Sequence, residues 1–181
     1  MLRCLSEAGA EPVDIAELKL LLRIDSTDDD CLLNDLLKSS RIMIENATSM
    51  SLVKKQWVRI VHKPDRIYEQ GKQLFYLPKG PILKVDRVCL ESLSSEQDLN
   101  TKDYKLWESS SRSFVLINQS IEVGHSWLRL FYEAGYESKD TVPNDLRQAI
   151  LFVAANLYKD QTNLASALMS SGLKQFLTPS I

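Results

Sequence analysis

The stretch Phe75–Leu90, FYLPKGPILKVDRVCL, decides how this chain folds. Apolar residues run up to Leu77, a Pro-Lys-Gly-Pro corner interrupts them, and the pattern resumes at Ile82. Apolar and polar residues alternating with a period of two mark half-buried strands, so this is a strand, a corner and a strand. Pro78 biases Leu77 towards extended backbone and Pro81 does the same to Gly80. Lys79-Gly80 supplies the turn, with glycine expected to take the positive φ. Two prolines stiffen the unfolded chain, so the corner loses little entropy on folding. It is a scaffold feature: a phosphate-binding loop needs successive backbone N–H groups, which prolines lack. Past the corner, Leu83 and Val85 share a face while Val88 falls on the other. The polar pair Asp86-Arg87 marks that phase slip, and a β-bulge there restores the register.

The same period extends outward. VKKQWVRIVH, residues 53 to 62, places Val58 and Ile60 on one face and Trp57 and Val61 on the other. QLFYL (73–77), ILKVDRVCL (82–90), YKLWE (104–108), SFVLI (113–117) and SWLRLFYEAGY (126–136) bring the total to about six strands. ESLSSEQDLNTKD, residues 91 to 103, reads as a protruding polar loop.

On both sides of this block the period becomes helical. In PVDIAELKLLLRI, residues 12 to 24, Asp14 is the expected N-cap, with Glu17 three residues on completing a capping box. Val13 and Leu18 form the matching staple, and Ile15, Leu18, Leu21 and Leu22 form the apolar stripe. DSTDDD, residues 25 to 30, breaks this helix, and Ser26 or Thr27 is expected to cap a second one. Its stripe is Leu33, Leu36, Leu37, Met43, Ile44 and Ala47. The aspartates do not make a calcium loop, which alternates its ligands and needs a glycine and a distal glutamate. VPNDLRQAILFVAANLYKD, residues 142 to 160, is a third helix with Leu146, Ile150, Val153 and Leu157 inward.

The fold class is therefore α+β: N-terminal helices and a C-terminal helix packed together, with an inserted antiparallel β block of about six strands. Residues 1–51 make the N-terminal helical part, 52–136 the β-rich insertion, and 137–181 the C-terminal helix and tail that complete the helical part. No flexible linker separates them, which favours an insertion over independent halves.

Composition narrows the function classes. Of 181 residues, 44% are hydrophobic and 25% charged, the balance of a globular chain. The net charge of −2 offers no electrostatic footprint for wrapping phosphates. No apolar run approaches the ~20 residues of a membrane span, and Met1–Glu7 lacks a signal-peptide core, so a cytoplasmic location is expected. Cys4, Cys31 and Cys89 are odd in number and widely spaced, unlike a disulfide framework or a C-x-x-C metal site.

Enzyme signatures are missing from the sequence: it has no G-x-S-x-G, H-E-x-x-H, P-loop or G-x-G-x-x-G. A nucleophile pair would require Cys89 with His62 or His125; the alternative is a buried thiol and two surface histidines. Asp140, Asp145, Glu133 and Glu137 offer a carboxylate pair near the last strand-to-helix junction, or simply a helix start and a solvated loop. Trp57, Trp107, Trp127, Phe131 and Tyr132 form either a stacking platform for sugars or bases, or the β core; Trp107 stands out beside a polar run. Leu168, Met169, Leu173, Phe176, Leu177 and Ile181 make the tail apolar, for folding back or for docking into a partner. The expectation is no enzyme, no catalytic residues, no metal and no cofactor. A β-rich glycan- or receptor-binding module is the alternative.

A run of segments in fixed order carries a family resemblance. EPVDIAELKLLLRID is followed by DDDCLLNDLLKSSRIMIENATS, QWVRIV, LPKGPILKVDRV, DLNTKDYKL, LRLFYEAGYES and VPNDLRQAILFVAANLY. Across residues 11 to 160 the chain resembles phage head–tail connector (adaptor) proteins of the gp6-like and phiE125 gp8-like type. Thr48-Ser49-Met50 departs from the Thr-Gly turn common there. The resemblance implies a structural, non-catalytic protein of a tailed phage, prophage or gene-transfer particle, assembled in the host cytoplasm and carried in the virion at the head–tail interface. It implies a homo-oligomeric ring, dodecameric in the particle, beneath the portal protein. Such a ring extends the DNA channel without specific DNA binding and offers a platform to a downstream tail or stopper protein, with no membrane involved. The first helix and Leu173, Phe176, Leu177 and Ile181 are then the expected partner-facing residues.

Overall fold

The computed structural model describes residues 1–62, 67–69, 72–92, 95–108, 112–118 and 127–159. Its elements are β1 (Leu2–Glu7), α1 (Ile15–Leu22), α2 (Asp30–Thr48), β2 (Lys55–Val61), β3 (Ile67–Glu69), β4 (Lys72–Leu77), β5 (Ile82–Glu91), β6 (Glu96–Asp98), β7 (Tyr104–Glu108), β8 (Ser113–Ile117), β9 (Trp127–Ala134) and α3 (Asn144–Lys159). They form two units: a β unit of Met1–Ala8 with Lys54–Gly135, and a helical unit of Gly9–Val53 with the chain from Tyr136 onward.

The β unit holds two antiparallel sheets, one ordered β1-β2-β9-β5-β6 and the other β3-β4-β8-β7. Alternate residues of both meet in one core, with Val61, Val88, Leu128, Leu130 and Tyr132 from the first sheet and Phe75, Leu77, Val115 and Ile117 from the second. The Tyr132 phenol reaches out of that core and donates to the Pro78 carbonyl at 2.8 Å, tying the corner to β9. Burial pushes this phenol's pKa up.

The bulge expected at Asp86 is present, because the β5–β9 register shifts between Val85 and Arg87. A second shift, between Ile82 and Lys84, changes the inward set. Ile82, Val85, Val88 and Leu90 face the core, and Leu83 does not. The corner also differs from expectation. Lys79, not Gly80, takes the positive φ, at 68°, and Gly80-Pro81 is cis. The freedom of glycine is used instead at Gly135, with φ 117°, where its N–H donates to the Pro81 carbonyl at 2.8 Å.

Three strands add to the six expected. β1 lies in a stretch that the sequence placed with the helices, and it has almost no inward face; backbone pairing with β2 holds it at the sheet edge. β6 falls inside the expected polar loop and pairs with the end of β5. β3 is a three-residue partner of β4.

In the helical unit, Val13, Leu18, Leu33, Leu37, Ile44, Leu52, Leu146, Ile150 and Val153 share one core. Full burial of each large side chain stabilises by about 1.5–3 kcal/mol. α1 is shorter than its pattern, because Arg23 turns left-handed (φ 58°) and ends it. Ile15, Leu18 and Leu22 pack inward, while Leu21, at the edge of the stripe, is 41% exposed. α2 starts after Asp29, not after Ser26 or Thr27, since Thr27 is spent on a turn that accepts the Asp30 N–H at 3.2 Å.

Candidate functional site

The cysteine–histidine reading fails at Cys89. This thiol is fully buried on β5, and burial together with a hydrogen bond to Glu96 pushes its pKa up to about 11. A thiol held neutral in this way is a poor nucleophile. His62 packs edge-on to Trp127 at 4.8 Å between ring centres, and His125 lies outside the described residues. Cys89, Glu96 and Asp98 bring potential ligand atoms within 4.8 Å of one another. Arg87 already fills that position, donating to Asp98 at 2.7 Å and to Glu96 at 2.6 Å.

Of the acidic candidates, Glu133 lies in the β unit and Glu137, Asp140 and Asp145 lie in the helical unit. Glu133 sits in the β unit between Lys54 (3.0 Å) and Lys84 (3.5 Å), and the Lys54 hydrogen bond holds its carboxyl below the usual carboxylate range. Asp145 Oδ1 accepts the Leu146 N–H at 3.0 Å as part of the α3 start. Asp140 lies on a 3-10 turn, Lys139–Thr141, in the helical unit.

The aromatic candidates divide. Tyr132 is core, and Trp57 packs against that core. Phe131 lies on the other side of β9 under the Arg87 guanidinium, 5.5 Å from its ring centre. Trp107 and Trp127 are 40% and 47% exposed. Trp107 belongs to a cross-strand row that the sequence did not reveal. Tyr76 is directly opposite Phe114, and Phe114 opposite Trp107. Their ring centres are 5.8 and 5.5 Å apart. Arg59 and Arg112 stand over the Tyr76 ring at 5.6 and 5.9 Å. Arg59 also donates to the Tyr76 carbonyl.

In the helical unit α1 is held firmly while presenting apolar surface. Glu17 accepts the Asp14 N–H at 3.3 Å as the capping glutamate, and both its oxygens accept from Arg147 on α3 at 3.0 Å. Lys139 donates to Asp14 Oδ2 at 2.5 Å. Leu20 of this fixed helix is 82% exposed, beside the half-exposed Leu21.

The sequence also hid a buried ionic cluster. Arg41, 1% exposed, donates to Glu11 at 2.8 and 3.1 Å and to Glu45 at 3.0 Å, and Glu45 accepts the Leu52 N–H at 2.8 Å. It joins the chain entering α1, the middle of α2 and the segment leaving for β2. The tail residues Leu173, Phe176, Leu177 and Ile181, with Leu168 and Met169, lie outside the described residues.

The described residues thus hold two antiparallel sheets around one core, helices α1, α2 and α3 around another, and exposed apolar side chains at Leu20, Leu21 and Leu32. Residues 12–104, more than half of the chain, match the phage gp6-like head-tail connector protein family, and the chain belongs to that family, whose role is structural. Solved structures share the fold. A chain in the neck of an empty gene transfer agent (GTA) particle, computed with C6 symmetry, aligns at 19% identity and TM-score 0.76, covering all of this chain and 97% of that one. Chains in the native GTA virion and in the native neck computed with C12 symmetry align at 18% identity, with TM-scores of 0.76 and 0.73 and the same coverage. No curated protein matches the chain. No described helix is long and apolar enough to cross a membrane.

Proposed function

We propose that this connector works as a homo-oligomeric ring at the neck of a phage, prophage or gene-transfer particle. The ring sits below the portal, continues the DNA channel and presents a platform to the next tail component, without catalysing a reaction. The observation that carries this reading is Leu20, 82% exposed with Leu21 at 41% on a helix pinned by Glu17–Arg147. Large apolar side chains on a rigid exposed element belong in an interface. Family membership and the neck locations of the structurally similar chains support it. The symmetry of those necks favours a copy number of twelve, and a net charge of −2 suits a channel through which DNA slides without tight binding. Leu173, Phe176, Leu177 and Ile181 are assigned to contacts with the portal or an adjacent subunit.

Co-sedimentation with the cognate portal ring tests the proposal. The full chain is expected to pellet with the portal, and deletion of residues 164–181 to weaken the association. Failure of the full chain to associate would refute the reading, and unchanged binding of the deletion would remove the tail assignment. A glycan- or receptor-binding module is the second reading, favoured by exposed Trp107 against Phe114; saturable glycan binding by the isolated protein, lost in Trp107→Ala, would promote it.

A further inference from the structure

We infer that the outer face of the four-stranded sheet receives the acidic α1–α2 turn of a neighbouring copy, the contact that would propagate the proposed ring. The receiving face is the exposed end of the Tyr76–Phe114–Trp107 row: Trp107, 40% exposed, rests on the buried Phe114 and half-buried Tyr76, with exposed Arg112 at the edge. Lys105 lies two residues from Trp107 on the same strand, hence on the same face. Lys105 and Arg112 are exposed and make no ion pair among the described residues. The face is therefore aromatic with unneutralised positive charge.

The inserting surface has the opposite chemistry. Asp30 is paired with Lys19 at 2.5 Å, and Asp29 accepts the Tyr158 hydroxyl at 2.7 Å. Asp25 and Asp28 are exposed and without an ion pair among the described residues, and they outweigh the lone exposed cation there, Arg23. Leu20 and Leu21 precede the turn and Leu32, 47% exposed, follows it. Acids bracketed by leucines fit arginine and lysine bracketing a tryptophan, so polar and apolar parts of the contact are satisfied together. The two surfaces differ and lie on different units, so the contact is head-to-tail, the type that generates rings.

The chain carries its own reporter, since Cys31 is an exposed thiol in the first turn of α2. Arg112→Cys in a Cys4→Ser background, bound to the cognate portal ring and treated with diamide, is expected to give a ladder of disulfide-linked dimers, trimers and larger species. Peptide mass spectrometry should join Cys31 to position 112. Arg112→Glu should weaken assembly on the order of tenfold by placing like charges together, and Asp28→Lys should restore it in the double variant. A portal-bound ring that forms without the link from Cys31 to position 112, or only with Cys31–Cys31 links, would overturn this docking and leave the ring intact. If no portal-bound ring forms, both proposals fall.

Discussion

Replacing Arg41 by methionine is the sharpest test of what holds the helical unit together. Arg41 is 1% exposed and supplies hydrogen bonds to two carboxylates, of which Glu45 has a side chain 6% exposed. Without the guanidinium, Glu45 stays buried and keeps the Leu52 N–H, and it loses the Arg41 charge 3.0 Å away. Breaking a buried pair in this way costs about 3–5 kcal/mol, a large part of the ~5–15 kcal/mol that stabilises a domain. At a urea dependence near 2 kcal/mol per molar, the helical transition should move down by roughly 2 M. Far-UV circular dichroism during urea unfolding reads it directly. Arg41→Met with Glu45→Gln removes both charges yet keeps an acceptor for Leu52, so the pair should cost less than the single change by at least ~1 kcal/mol. Glu11→Gln should cost only about 1 kcal/mol, because the Glu11 side chain is 35% exposed. If Arg41→Met shifts stability by under ~1 kcal/mol, or the double variant costs the sum of its parts, the buried Arg41 cluster does not hold the helical unit together.

Other expectations are equally direct. Ser49 caps α2 with φ 56°, a left-handed backbone that costs a non-glycine residue about 1–2 kcal/mol, so after the entropy that glycine loses on folding Ser49→Gly should raise stability by roughly 0.5–1 kcal/mol in the same unfolding assay. In the native protein a thiol reagent should modify Cys4 and Cys31 within minutes and leave Cys89 unreacted until unfolding; rapid labelling of a third thiol would contradict its burial. The folded pKa of Glu133 lies below its unfolded value, so its contribution is present in full above the ordinary carboxylate range and is lost as pH falls through the lowered pKa. The stability gap between wild type and Glu133→Gln should accordingly be flat near neutrality and close in acid; a gap unaffected by acid would refute the pairing with Lys54 and Lys84.

The elements legible in the sequence were those whose pattern coincides with burial. Val85, Asp86, Arg87 and Val88 announce the bulge because a core face that changes phase must be repaired by an extra residue. Leu146, Ile150 and Val153 announce the inner face of α3 in the same way. β1 was illegible because an edge strand held by backbone pairing needs no apolar alternation. Arg41 and Glu45, four apart on a helix, look like an ordinary surface pair; their burial and their hydrogen bonds to Glu11 and the Leu52 N–H depend on segments distant in sequence. The Tyr76–Phe114–Trp107 row was hidden for a related reason. Its members come from three strands, and although Trp107 stands out beside a polar run, only the register shows that it shares a row with Tyr76 and Phe114.

The proposed ring requires that subunits assemble around an axis. Negative-stain class averages of the purified protein mixed with its cognate portal ring test that most directly. An added annular layer, coaxial with the portal and sharing its symmetry, is the expected result. Bare portals beside unattached single subunits, at concentrations where both proteins are folded, would contradict it.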